Sequence, residues 1–369
     1  MEQRKPGEPL RVGGQAILEG VMMRSPNSMA IVCRKPDGRL VVKETHWISL
    51  WNRLKFLRWP FLRGTIVLIE AMWNGIQALS FSAKVATEAE AEKQAAEKQA
   101  KDSANASDKE EKPLSNAAIT GTILFSLAFA IALFVVLPHY ATIGVGLLVG
   151  HELTVDMFLF HLVDGLIKVL VFVLYVWAIS LLPDIRRTFQ YHGAEHKSIF
   201  AFDDGKELSL DNVRQYTTFH PRCGTSFILV VLITSILLFS LAFPLLPKLE
   251  SVPKILRNLI FIGIKLPLLF PIAGLSYEVI RQAGKHRNSR LLRLAVLPGL
   301  LSQRITTKQP NDEMLEVAVL SLRKCLWREK QVEDGVTSED TEVEYPSYAA
   351  AIAAIGQPEA FFVGGSCDV

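Results

Sequence analysis

Between Ala117 and Pro138 the chain reads AAITGTILFSLAFAIALFVVLP, without one charged residue. As a helix, such a run is long enough to cross a hydrocarbon core of about 30 Å. It therefore predicts a membrane protein, and half of all residues being hydrophobic fits that reading. Three further apolar runs follow. Gly165 to Pro183 carries only Lys168, near its start, and Thr225 to Phe243 carries no charge. Asn258 to Ile280 contains Lys265, Pro267 and Pro271, so a broken helix is expected there.

The basic residues fix an orientation. The loop from His139 to His161 holds no Lys or Arg, whereas Asp184 to Arg222 holds six and more follow the fourth run. The positive-inside rule then puts both termini and the loop 184–222 on the cytoplasmic side of the cytoplasmic membrane. The first residues are polar and basic, so no cleavable signal peptide is expected. Cys33, Cys223, Cys325 and Cys367 would face a reducing compartment, which argues against a disulfide framework. The basic residues cluster at membrane borders, where topology accounts for them, so no nucleic-acid partner is expected.

The fold class that follows is a mainly α polytopic membrane protein with about four transmembrane helices, an interfacial or re-entrant helix, and a small cytoplasmic β-containing N-terminal unit. Residues 11–59 form that β unit, with a hairpin turned at Lys35-Pro36-Asp37-Gly38. Residues 60–83 are apolar but carry Arg63 and Glu70 between basic flanks, which favours the interfacial or re-entrant helix over a fifth span. Residues 84–116 are an Ala/Glu/Lys tract, helix-prone at first, that serves as a linker or exposed helix; 117–280 are the membrane core, 281–328 cytoplasmic helices, and 329–369 a mostly disordered tail. Within 281–328, Asn311 or Asp312 is a helix cap, followed by an apolar stripe at Leu315, Val319 and Leu322.

The chemistry concentrates in YHGAEHKSIFAFDDG, where His192, Glu195 and His196 follow the order H-x-x-E-H. On a helix the two imidazoles project from one side, one turn apart, and can share a cation. Glu195 stands near enough to deprotonate a water, which is the logic of the inverted zinc-hydrolase motif. A hydrolytic zinc needs a further ligand and an open position. His220 and Cys223 in TTFHPRCGTS are candidates, as is Glu278 near the inner end of the fourth run. Each has a plainer reading: a turn before the third run for His220 and Cys223, an ion pair with Arg281 or another cation for Glu278. Gly193 weakens the helix that the motif requires. In VGGQAILEGVMMRSP, the glycines fit a tight packing contact or a loop over a site, with Gln15, Glu19 and Arg24 as its polar groups. Glu70 joins them as a further polar candidate.

Taken together, VGGQAILEGVMMRSP, PFLRG with LIEAMWNGIQAL, YHGAEHKSIFAFDDG, HPRCGTSF, LSYEVIRQAG and PGLLSQRITTKQPNDEMLEVA resemble the YqhQ-like family of bacterial membrane proteins, from about Arg11 to Trp327. The resemblance implies a multi-span membrane protein with His192, Glu195, His196, His220 and Cys223 at motif positions. It also brings the family's general label, predicted metal-dependent enzyme, and no substrate. The linker and the tail after Trp327 depart from the shared pattern.

Three functions follow as expectations. The first is a hydrolase at the cytoplasmic membrane face, using a divalent metal, which the ligand chemistry points to as zinc, on a peptide or lipid-linked substrate from the bilayer. The second is a non-catalytic scaffold or assembly factor in which the same residues form a structural metal site. The third is a small transporter using Asp164, Lys168, Lys265 and Glu278; four spans without an inverted repeat count against it, although a homo-oligomer could compensate.

Overall fold

A computed structural model describes residues 10–47, 59, 62–101, 116–155, 157–221, 223–247, 251–286, 289–336 and 339–355. Strands β1 (Gly13–Ile17), β2 (Gly20–Arg24), β3 (Ser28–Arg34) and β4 (Leu40–His46) form an antiparallel meander. The β3–β4 turn is the one expected, with Gly38 at φ +91° and its N–H on the Lys35 carbonyl. Alternation in β3 divides the sheet's two faces. Ala30 and Val32 pack with α5 (Pro183–Asp203) and α10 (Asp312–Glu333), while Met29, Ile31 and Cys33 pack on Ala78, Phe81 and Val85 of α1 (Leu62–Lys101). The Asn311 side chain caps α10 by accepting from Met314 N at 3.0 Å, and Leu315, Val319 and Leu322 are buried as the stripe predicts.

The rest is helical: α2 (Asn116–Ile131) runs through a π turn (Ala132–Val136) into α3 (Leu137–Leu148), followed by α4 (Phe158–Ile179). After α5 come the short α6 (Leu210–Arg214), α7 (Gly224–Ala242), α8 (Lys254–Lys285) and α9 (Arg290–Thr306). Among the described residues five helical segments are long and apolar enough to cross a membrane: Leu62–Ala95, Leu124–Leu148, Phe158–Ile179, Gly224–Leu245 and Gly263–Ala283. Inside this bundle Lys168 Nζ donates to Asp164 at 2.5 Å, and Lys265 lies over the rings of Phe239 and Phe243.

Three expectations need correction. The segment boundary at 83 is not a helix end: α1 continues to Lys101, so of the two readings of the Ala/Glu/Lys tract, linker or exposed helix, its first part is helix. Strong helix formers carry it, and Val85 and Glu92 anchor it, Glu92 accepting from Lys35 Nζ at 2.8 Å. Positions 60, 61 and 102–115 of those two segments lie outside the described residues. The fourth apolar run is not broken; α8 is one helix containing Pro267 and Pro271, and Thr65 Oγ1 donates to the Phe270 carbonyl beside the second proline. The tail is not disordered at its start. Thr341–Tyr345 forms β5, which pairs with β4 and completes a five-stranded sheet, and α11 (Tyr348–Ile355) follows. The acidic residues that suggested disorder are matched by bases: Glu344 by Lys35 and Arg39, Glu342 by Lys84. Positions 356–369 lie outside the described residues.

Candidate metal centre

Helix α5 starts at Pro183, whose missing N–H costs nothing in a first turn, with Asp184 beside it favouring the positive end of the helix dipole. Tyr191, Ala194, Ile199 and Ala201 belong to the core shared with the sheet and α10. His192 and His196 lie one turn apart, with ring centroids 4.4 Å from one another.

Gly193 between them has a spatial reason. A Cβ there would fall 2.1 Å from the Lys308 carbonyl oxygen, so only glycine lets α5 close on the strand of chain leaving α9. That closeness supplies a brace: His192 Nδ1 meets the Thr306 carbonyl oxygen at 2.8 Å. His196 Nδ1 likewise meets the Thr218 carbonyl oxygen at 2.5 Å. A carbonyl only accepts, so both Nδ1 atoms carry a proton, and Nε2 is the atom each ring can offer to a cation. Backbone carbonyls holding the far nitrogen of paired imidazoles is the support typical of histidine metal ligands.

Cys223 faces those Nε2 nitrogens. It is the N-cap residue of α7, and its Sγ lies 3.1 Å from His192 Nε2 and 3.1 Å from Thr225 Oγ1. His192, His196 and Cys223 each offer one donor atom, all within 4.8 Å of one another. Tetrahedral zinc with bonds of about 2.0–2.3 Å sets its donors about 3.3–3.6 Å apart, which that spread brackets. His196 Nε2 is buried and has no hydrogen-bond partner among the described residues, as expected of a nitrogen reserved for a cation. Burial works to raise the Cys223 thiol, but the imidazoles of His192 and His196 hold it well below the ordinary thiol range. Burial works to lower His192, and the Cys223 thiolate outweighs it, raising the imidazole to about 9. The residues present therefore fit a thiolate-accepting divalent cation.

Glu195 adjoins this set without belonging to it. Burial raises its carboxyl above the usual range, opposed by His192 and His196 and by a hydrogen bond from the Gly14 backbone. A Cβ on Gly14 would fall 2.6 Å from Glu195 Cγ, so β1 lies directly over the carboxylate. The packing reading of the glycine-rich stretch thus holds at Gly14, which lies in a strand rather than a loop.

The other sequence candidates separate. His220 stacks its edge on Phe200 and has Nε2 at 3.6 Å from Asp203, its ring 5.6 Å from that of His196; it stands behind the donors. Glu278 is held by Arg63 through two bonds of 2.5 Å, with Arg281 at 3.8 Å, which is the ion-pair alternative. Glu19, at φ +48°, bonds Arg187 and Tyr191 at the surface of α5. Gln15 packs on Gly75 of α1, and Arg24 lies over Trp47 with buried Glu70 as its electrostatic partner, all on the opposite side of β1 from Glu195. Sequence reasoning missed Thr218 and Thr306. Their contribution is a carbonyl, for which side-chain chemistry leaves no signal.

The fold and site thus define a mainly helical protein with helices apolar enough to cross a membrane, joined to an antiparallel sheet, and a Cys-His-His cluster between the two in which His196 and Cys223 are buried and His192 partly so. Residues 59–328 match the family described as "Protein of unknown function (DUF1385)", and the chain belongs to that family. It is 30% identical over 327 residues to the "Uncharacterized protein YqhQ" of Bacillus subtilis (strain 168), covering 86% of this chain and 93% of that protein. No solved structure matches it.

Proposed function

We propose that the chain is a metal-dependent hydrolase of the cytoplasmic membrane, with His192, His196 and Cys223 as the ligands of one zinc ion. The observation that carries this reading is the convergence of two braced imidazoles and a thiol within 4.8 Å. A divalent cation held there supplies Lewis acidity to an attacking water or to the bond under attack. The Thr306 and Thr218 carbonyls keep both rings in the ligating tautomer. Glu195, its carboxyl raised by burial, accepts a proton at its carboxylate and returns it to a leaving group. The Gly14 backbone N–H steadies that carboxylate between the two events. Cys223 immediately precedes an apolar helix, which favours a peptide or lipid-linked substrate arriving from the bilayer.

In this reading α2 with α3, α4, α7 and α8 cross the membrane, and the sheet, α5 and both termini are cytoplasmic, following the Lys and Arg distribution. Helix α1 does not make a full crossing, because Ala78, Phe81 and Val85 are committed to the sheet while Thr65 bonds the middle of α8.

Elemental analysis of the detergent-purified protein tests the site. About one zinc per chain is expected, with His192→Ala losing it, and Glu195→Gln keeping zinc while losing peptide or lipid hydrolysis. Wild-type protein without stoichiometric metal refutes the reading. A structural metal is the second reading, favoured by the burial of His196 and Cys223 between the sheet unit and the helices. Under it Glu195→Gln is silent in cells and His192→Ala destabilises the protein.

A further inference from the structure

Gln303 has no exposed surface, although it lies in the last turn of an amphipathic helix. Its amide is fully used. Oε1 accepts from His220 N at 2.7 Å, and Nε2 donates to the His220 carbonyl at 2.7 Å and to Ser226 Oγ at 2.7 Å. Those partners stand on either side of Cys223 in the chain, so one side chain holds both ends of the segment that presents the thiol. One turn earlier, a Cβ on Gly299 would fall 2.7 Å from Ser226 Cα, so the backbone of α9 closes directly on the first turn of α7. Three residues later, the Thr306 carbonyl braces His192. The end of α9 therefore bears on the thiol and on an imidazole 31 positions away from it in sequence.

We propose that Gln303 is a positioning residue for the metal donor set, fixing Cys223 in register with His192 and His196. The inference rests on the metal reading above. A leucine at this position would suit the buried side of α9, where Val296 already packs. A satisfied buried amide adds little net stability over an apolar side chain, but it permits only one alignment of the groups it joins. A thiolate that must share one cation with two imidazoles needs that alignment, and a helix packed only by apolar contacts could slide or rotate slightly without loss.

Zinc affinity is measured by chelator competition on the full-length protein in detergent, for wild type, Gln303→Leu and Gln303→Glu. Melting temperature is measured in parallel with the metal chelated. Gln303→Leu removes all three bonds and is expected to weaken zinc binding about 10- to 100-fold, the range for partners that support metal ligands. Gln303→Glu keeps the acceptor for His220 N and is expected to fall between Leu and wild type. If Gln303→Leu does not fold, the Glu variant alone decides. Zinc bound as tightly as by wild type overturns the proposal, including the case where only the chelated melting temperature falls. Failure of wild type to bind zinc is a different result, and it removes the metal reading itself.

Discussion

Replacing Gly193 by alanine sets two effects of known size against each other. Helix propensity alone favours the change, by about 0.5–1 kcal/mol. Against it stands the contact with Lys308, where a Cβ would lie 2.1 Å from a backbone oxygen. Carbon and oxygen settle at about 3.3 Å, so one backbone must retreat by about 1 Å. Forcing a methyl group into such packing costs about 1–3 kcal/mol. The retreat also pulls on two hydrogen bonds, Lys308 N to Phe189 O at 2.9 Å and His192 Nδ1 to Thr306 O at 2.8 Å. At about 0.5–1.5 kcal/mol each they add about 1–3 kcal/mol. The gross cost is then about 2–6 kcal/mol, and subtracting the helix gain leaves about 1–5 kcal/mol of destabilisation. Thermal melts of purified wild type and Gly193→Ala with metal chelated read this directly. A fall of at least about 2 °C is expected, at the scaling of about 2–4 °C per kcal/mol. A variant that melts at or above wild type would show that propensity governs and that the close approach to Lys308 is wrong.

Three further outcomes can be checked on the same preparation. Lys324 and Glu44 form a buried pair at 2.8 Å, so Lys324→Met should cost about 3–5 kcal/mol in denaturant unfolding; adding Glu44→Leu should recover most of it, and failure to recover would deny the pairing. Burial raises the thiols of Cys33 to about 12 and Cys325 to about 11, above an unfolded value of 9.0. The folded chain therefore binds more protons than the unfolded one above pH 9.0, and stability should decline from there upward. Cys325→Ala should flatten the melting-temperature slope between pH 9.0 and 11, and an unchanged slope would contradict the burial. Truncation after Val336 removes β5 and leaves an edge of β4 unpaired, so light scattering should report increased self-association.

Much of this was open to reading from residues. The apolar runs, the β3–β4 turn, the capped α10 and the pairing of His192 with His196 are local patterns, and local patterns carry to structure. Choosing among His220, Cys223 and Glu278 as the next ligand was not local. It depends on where the chain returns after α6: Cys223, at the cap of α7, comes within 4.8 Å of both imidazoles, while Arg63 occupies Glu278. Gly193 was legible only as a weak helix residue, because its neighbour Lys308 is distant in sequence. The strand Thr341–Tyr345 escaped because its charges look solvated until Lys35, Arg39 and Lys84 are brought beside them.

The position of β5 has a consequence for how the chain is made. Strands β1 to β4 leave the ribosome first, yet β5 and the helix α10 that covers their inner face are translated after all the long apolar helices. The newborn sheet must wait, one face uncovered and one edge open, until every long apolar helix between has been made. A ribosome that stalls early therefore releases a chain whose first domain is still sticky, and proteolytic surveillance has a ready mark by which to remove it.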